Sequence, residues 1–175
     1  MAKTSGGVRQ YIYSSSQTPN VENKVSFDTI QDFADKVLSD GFSRGRELRI
    51  GTLNEAVQRE MQNMKADIDN TDVVITDDVI IKYVNHPKNA KNATLPENQY
   101  NKLKNIVNNP KHIYIDTKQN NLVFVFTSKE NKGKIIKAII QPNFKKGSRV
   151  YNKVKSIGVV DANQISKQRQ YKKIK

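Results

Sequence analysis

Apolar positions first fall into a helical rhythm after a polar lead-in. Residues 1–25 hold Ser14, Ser15, Ser16, Thr18, Pro19 and Asn20 without periodicity and read as a flexible segment. From there Phe27, Ile30, Phe33, Ala34, Val37 and Leu38 share one face of a helix over 26–41, with Gly41 as its stop. The stretch 41–51, with Arg44, Arg46 and Arg49 between glycines, reads as a joint. Thr52-Leu53-Asn54-Glu55 then reads as a capping box, with Thr as the cap, opening a second helix to about residue 70. Together 26–72 form a helical arm in this reading.

After Asp72 the pattern changes. Val73-Val74-Ile75 is a short apolar run, and Thr76-Asp77-Asp78 is an N-cap with first-turn acids ahead of Val79, Ile80, Tyr83 and Val84 on one helical face. That helix ends near Asn85-His86-Pro87. Leu95-Pro96 starts another, with Tyr100, Leu103, Ile106 and Val107 as its stripe and Asn109-Pro110 as its end. Beyond Pro110 the period falls to two. Residues 112–116, 122–127, 134–140 and 149–160 read as successive antiparallel strands, with a turn at Gln119-Asn120-Asn121 and a break at Gly133. The expected fold is α+β: helices followed by a four-stranded antiparallel meander, with an N-terminal helical arm. The expected organisation is a lead-in 1–25, the arm 26–72, a domain 73–162 and a basic tail 163–175.

Composition narrows the class. A chain of 175 residues with 36% hydrophobic content and no Trp supports about one domain with a modest core. With no Cys there is neither a disulfide framework nor a thiolate metal site. No apolar run has membrane length and MAKTSGGVRQ lacks a signal core, so a cytoplasmic protein without a membrane partner or its own export signal is expected.

Charge gives the partner. Residues 1–75 hold nine Lys+Arg against eleven Asp+Glu, and residues 76–175 hold 21 against six, so the two parts carry −2 and +15 of the net +13. A field of that sign draws in phosphate backbones, although Lys accumulated on a solvated surface produces the same count.

The helix ending in His86-Pro87, the helix ending in Val107-Asn108-Asn109-Pro110, the strand 113–116 with its Asn-containing turn, and the closing motifs Arg149-Val150-Tyr151 and Ser156-Ile157-Gly158 resemble a known superfamily. They look like the phage-borne members of the barnase, EndoU, colicin and RelE-like (BECR) ribonucleases, over residues 73–160. The resemblance implies a metal-independent endonuclease without cofactor, in which the ribose 2'-OH attacks the phosphodiester. It implies RNA, tRNA included, as substrate, an acidic immunity protein as the partner of a toxin, and phage virion proteins as carriers that deliver the domain to a host cytoplasm. A non-enzymatic nucleic-acid-binding virion or packaging protein is the alternative.

Such cleavage needs a proton acceptor, a proton donor and cations around the phosphorane. Acids are too sparse in the second half for a two-metal clamp, and Asp77 and Asp78 read as helix-capping residues. His86 matches the family's His-Pro motif, and the resemblance implies that it is general base or acid; on its residues alone the favoured reading is a histidine at a helix C-terminus interacting with the dipole. Arg149, the one Arg between 76 and 166, suits the transition-state phosphate. Alternation puts Arg149, Tyr151 and Lys153 on one face of the last strand and Ser156 on the other, so either Tyr151 or Ser156 is the active hydroxyl. Lys82, Lys88, Lys145, Lys146 and Lys153 are the expected RNA-binding cations.

Overall fold

The computed structural model describes residues 27–85, Leu95, 99–127, 133–166 and 169–174. The first helix, α1, spans Ile30–Asp40. Thr29 caps it through a reciprocal pair with Asp32, and Gly41, in the left-handed region at φ 74°, ends it. Then come β1 (Glu47–Thr52), α2 (Glu55–Asn63), β2 (Asp72–Thr76), α3 (Asp77–Val84), α4 (Lys102–Asn108), β3 (His112–Asp116) and β4 (Asn121–Thr127). The chain continues through β5 (Lys134–Lys146), β6 (Arg149–Asp161), the single-turn α5 (Asn163–Ser166) and β7 (Tyr171–Lys173).

These strands form one seven-stranded mixed sheet in the order β1-β2-β6-β5-β4-β3-β7. This overturns the expected fold of a four-stranded antiparallel meander behind a helical arm. Strands β3 to β6 do pair in succession, but β2 adds to β6 in parallel and β1 closes that edge antiparallel to β2. Residues 47–51, read as part of a joint, therefore belong to a strand, and Tyr171–Lys173, read as tail, pairs with β3. Thr52 ends β1 rather than capping a helix; the cap of α2 is Asn54, whose side chain accepts from the Val57 N–H.

One face of the sheet carries the core. Leu48, Ile50, Val73, Ile75, Ile113, Ile115, Leu122, Phe124, Ile136, Ala138, Ile140, Val154 and Ile157 meet Phe33 and Val37 of α1, Val57 and Met61 of α2, Val79 and Ile80 of α3, and Leu103, Ile106 and Val107 of α4. Residues 26–72 thus supply two helices and a strand to this core. Burial of this apolar area is the main favourable term for the fold. A smaller cluster of Val123, Val125, Ile135 and Ile165 lies on the other face, under α5.

Two irregularities shape the long β5–β6 hairpin. Ile139 pairs with Ser156 and Ile140 with Val154, so Lys155 is an extra residue on β6. Gln141 pairs with Lys153 and Phe144 with Tyr151, leaving Pro142 and Asn143 opposite Asn152 alone. Asn143 sits at φ 51°, accepts from Asp69 N at 3.0 Å, and its N–H donates to Asn152 Oδ1 at 3.2 Å. The fully buried Asn152 donates to Asn70 O and Asp72 O at 2.6 and 3.0 Å. The two asparagines thereby fasten the segment that delivers β2 beside β6.

Asp77 is the other fastening. Buried at the β2–α3 junction, it accepts from Ser43 Oγ at 2.6 Å, Arg44 N at 2.7 Å and Arg46 N at 3.1 Å, with Arg46 Nε at 3.5 Å. Arg46 is itself buried and meets Asp40 at 2.7 Å. Burial works to raise the Asp77 carboxyl, but the Ser43 hydroxyl, the two backbone N–H groups and Arg46 outweigh it and hold it below its ordinary value of 3.8.

Removing Asp77 with Asp77→Ala strands those donors and takes away one of the two counter-charges of the buried Arg46 guanidinium, and should cost about 3 kcal/mol in urea unfolding. Because the folded pKa is depressed, this contribution is complete above pH 3.8 and fades as pH falls through the lower folded value, so wild type and variant should converge in acid. Gly51→Ala is a second check on the packing. A Cβ there would collide with Asn108 Oδ1 and fall 2.8 Å from Val107 Cγ1, so these two side chains of α4 must give way and stability should drop by about 1–3 kcal/mol.

Candidate active site

The site begins with β1. Its alternation sends Leu48 and Ile50 into the helix-covered core and Glu47 and Arg49 to the opposite face. Arg49 ends on Asp72 at 2.5 Å. Glu47 instead gathers three residues from the tip of the β5–β6 hairpin. Lys146 Nζ lies 2.7 Å from Glu47 Oε1, Arg149 Nη1 2.5 Å from Oε2, and the Tyr151 hydroxyl donates to Oε1 at 3.1 Å.

In a flat sheet these groups would not meet. Glu47 is level with Thr76 of β2, while β6 runs alongside β2 only from Asn152, past the tip. The bulge at Pro142 and Asn143 bends the hairpin so that its tip crosses to β1, and Lys146 also donates to Gly45 O at 3.3 Å. Gly147, at φ 61°, makes the turn that brings Lys146 opposite Arg149. Gly45, Glu47, Lys146 and Arg149 line a cleft of about 180 Å³.

The electrostatics of this group are unequal. Glu47 is partly buried, which works to raise its carboxyl, yet the hydrogen bonds from Lys146 and Arg149, the Lys146 charge and the Tyr151 hydroxyl hold it below its ordinary value of 4.5. The buried Tyr151 phenol is pushed well up, first by burial and then by the charge and hydrogen bond of Glu47, so it stays a neutral donor. The Arg149 guanidinium lies 5.4 Å over the Tyr151 ring with 64% of its side chain exposed, so it can reach a ligand without leaving the ring. Beside it, Phe144 packs on Tyr151 at 5.5 Å, and Lys153 lies 4.8 Å over Phe144 while pairing with Asp78 at 3.0 Å.

Of the residues singled out by sequence, Arg149, Tyr151 and Lys146 converge, and Lys153 adjoins them. Ser156 does not: it sits opposite Ile139, beyond the Lys155 bulge. That bulge also removes the choice between faces, because it brings Ser156 to the same side as Tyr151 and Lys153 while Val154 and Ile157 both enter the core. Lys145 is exposed next to Lys146 but opposite Val150, on the other side of the hairpin. Lys82 is exposed on α3. His86 and Lys88 lie outside the described residues. Asp78 is the acid of an ion pair with Lys153, and Asp77 the clamp described above, rather than simple helix-capping charges.

Sequence reasoning missed Glu47. The signal available was the alternation Glu47-Leu48-Arg49-Ile50 inside the glycine-flanked joint. Among the described residues no group of three or more His, Asp or Glu is placed to hold a metal ion, and no helix is long and apolar enough to cross a membrane. No protein-family model, curated protein or solved structure matches the chain.

The Tyr151→Phe variant isolates the phenol. Losing its hydrogen bond should let Glu47 titrate at a higher pH, seen in the carboxyl ¹³C shift, and should lower stability by about 1 kcal/mol.

Proposed function

We propose that the protein is a metal-independent endoribonuclease, as its helix and strand motifs resemble, and that the Glu47 cleft is where the phosphodiester is attacked. The observation that carries this reading is the group itself: a carboxylate, two cations and a neutral phenol within hydrogen-bonding distance at one cleft. Those are the group types that 2'-OH attack requires.

In this mechanism a substrate phosphate enters between Lys146 and Arg149 and takes over their hydrogen bonds. Glu47 loses the partners that depress it and becomes a better base as the substrate arrives. It then takes the proton of the 2'-OH, the 2'-oxygen bonds to phosphorus, and the bond from phosphorus to the 5'-oxygen breaks. The leaving 5'-oxygen takes a proton from His86, the proton carrier assigned from sequence. Arg149 and Lys146 stabilise the charge on the phosphorane, and Tyr151 orients Glu47.

With total RNA or tRNA in excess EDTA, the protein should produce discrete fragments. Glu47→Gln and His86→Ala should each lower the rate by about 10²–10⁴-fold while leaving the fold intact by circular dichroism. Binding without cleavage by all three proteins would instead identify a non-enzymatic nucleic-acid-binding protein. The pH profile assigns the roles. With Glu47 as base, the acid limb of kcat/KM lies below pH 4.5 and that of kcat lies higher, because substrate strips Glu47 of its cations. A base of histidine type would put both limbs near pH ~6.5.

A further inference from the structure

A second cleft lies at the far end of the same hairpin. It has a volume of about 270 Å³ and is lined by Lys111, His112, Tyr114, Val125, Thr127 and Ile135, with Ala162 and Ile165 of the α5 region closing one side. Its floor is apolar, since Val125 is 4% and Ile135 8% exposed. Its wall is aromatic: the His112 and Tyr114 rings meet edge to face at 6.3 Å and 68°, and Tyr171 backs Tyr114 at 6.4 Å. The rim is polar, with Lys111 and Thr127 both exposed.

None of these lining residues is acidic, in contrast to the first cleft, where Glu47 sits between the cations. The volume falls just short of the ~300 Å³ at which pockets for drug-sized molecules begin. A flat, mostly apolar ring with hydrogen-bonding edges suits this shape, and in a chain of net charge +13 the matching ligand is a polyanion that carries such rings.

We propose that this cleft is a nucleobase subsite, in which one unstacked base of a single-stranded RNA stacks against Tyr114 over Val125 and Ile135 while Lys111 meets the adjoining phosphate. The occupant's identity rests on the ribonuclease reading above. The substrate class that follows is single-stranded RNA, because a base paired in a duplex is not free to enter. Stacking of this kind tolerates any base, so the subsite would add affinity and hold a strand across the hairpin without demanding a sequence. Between the two clefts, Phe144 and Lys153 offer a further aromatic and cationic step.

The test uses the full chain and a labelled 2'-deoxy single-stranded oligonucleotide, which lacks the nucleophile and so reports binding whether or not the protein cleaves RNA. Fluorescence anisotropy at fixed salt should show Tyr114→Leu weakening binding by about five- to 150-fold, with Tyr114→Phe near wild type. Leucine keeps apolar volume under α5, and thermal unfolding checks that the variant is folded. The dependence of log Kd on log salt should be the same for all three proteins, since stacking releases no counterions, whereas Lys111→Gln should flatten it. A duplex of the same sequence should bind without sensitivity to Tyr114. Equal affinity of wild type and Tyr114→Leu for the single strand would overturn the subsite. So would a free nucleoside monophosphate binding as tightly as the oligonucleotide, which would make the cleft a mononucleotide site. Loss of binding in Tyr114→Leu without any RNA cleavage by the wild type would keep the subsite and remove the ribonuclease reading.

Discussion

Asp77 stands where β2 becomes α3, and its carboxylate collects the Ser43 hydroxyl and the backbone N–H groups of Arg44 and Arg46, while its own N–H donates to Arg46 O at 3.1 Å. These bonds fix the residues that enter β1 and so decide where Glu47 begins its strand. The position of Glu47 in turn decides whether the hairpin tip has a partner. A charged group is tolerable at such depth only when its lone pairs are filled, and here the Ser43 hydroxyl and two backbone N–H groups, which have no rotamer to lose, share that work with Arg46. Everything at the candidate site is referred to this junction.

The hairpin contributes the other half of the geometry, through departures from regular pairing. A regular pair of strands of this length would run on past β2 and leave Lys146, Arg149 and Tyr151 far from β1. The extra residue at Pro142 and Asn143 turns the tip, and the buried Asn152, with donors and acceptor all used, keeps the bend in register with the segment before β2. The second bulge, at Lys155, changes which side chains face the core.

How legible this was in the sequence varies by element and for physical reasons. The strand His112–Asp116 and the starts of β5 and β6 follow from period-two alternation bounded by turn residues, and α1 follows from its apolar stripe with Gly41 behind it. Strand β1 was hidden because its two apolar residues, Leu48 and Ile50, are flanked by Arg and Gly, which read locally as a loop; only pairing with β2 reveals it. β7 has a single large apolar neighbour in Ile174, and its lysines masked a strand formed by tertiary pairing with β3. The parallel β2–β6 contact joins segments about 80 residues apart and leaves no local trace. Arg149, Tyr151 and Lys146 were found as residue types suited to phosphate, but their shared partner was not, because Glu47 lies in the half of the chain that charge counting had set aside.

That oversight bears on what the charge asymmetry means. Acids of the first 75 residues are not merely remote from the basic part: Glu47 takes up Lys146 and Arg149, and Glu60 meets Lys172. Some of the sequence-level imbalance is therefore complementarity within one fold. The cation ends of the Glu47 pairs are about half exposed or more, so an incoming phosphate can take Lys146 and Arg149 over at modest cost to the fold. The same exchange leaves the displaced carboxylate partly buried with fewer cations near it, which is the condition under which a glutamate takes up a proton most readily. On the proposed reading, the empty cleft holds one carboxylate shared by two cations, and Glu47 is released as a base only when a phosphate replaces it as the partner of Lys146 and Arg149.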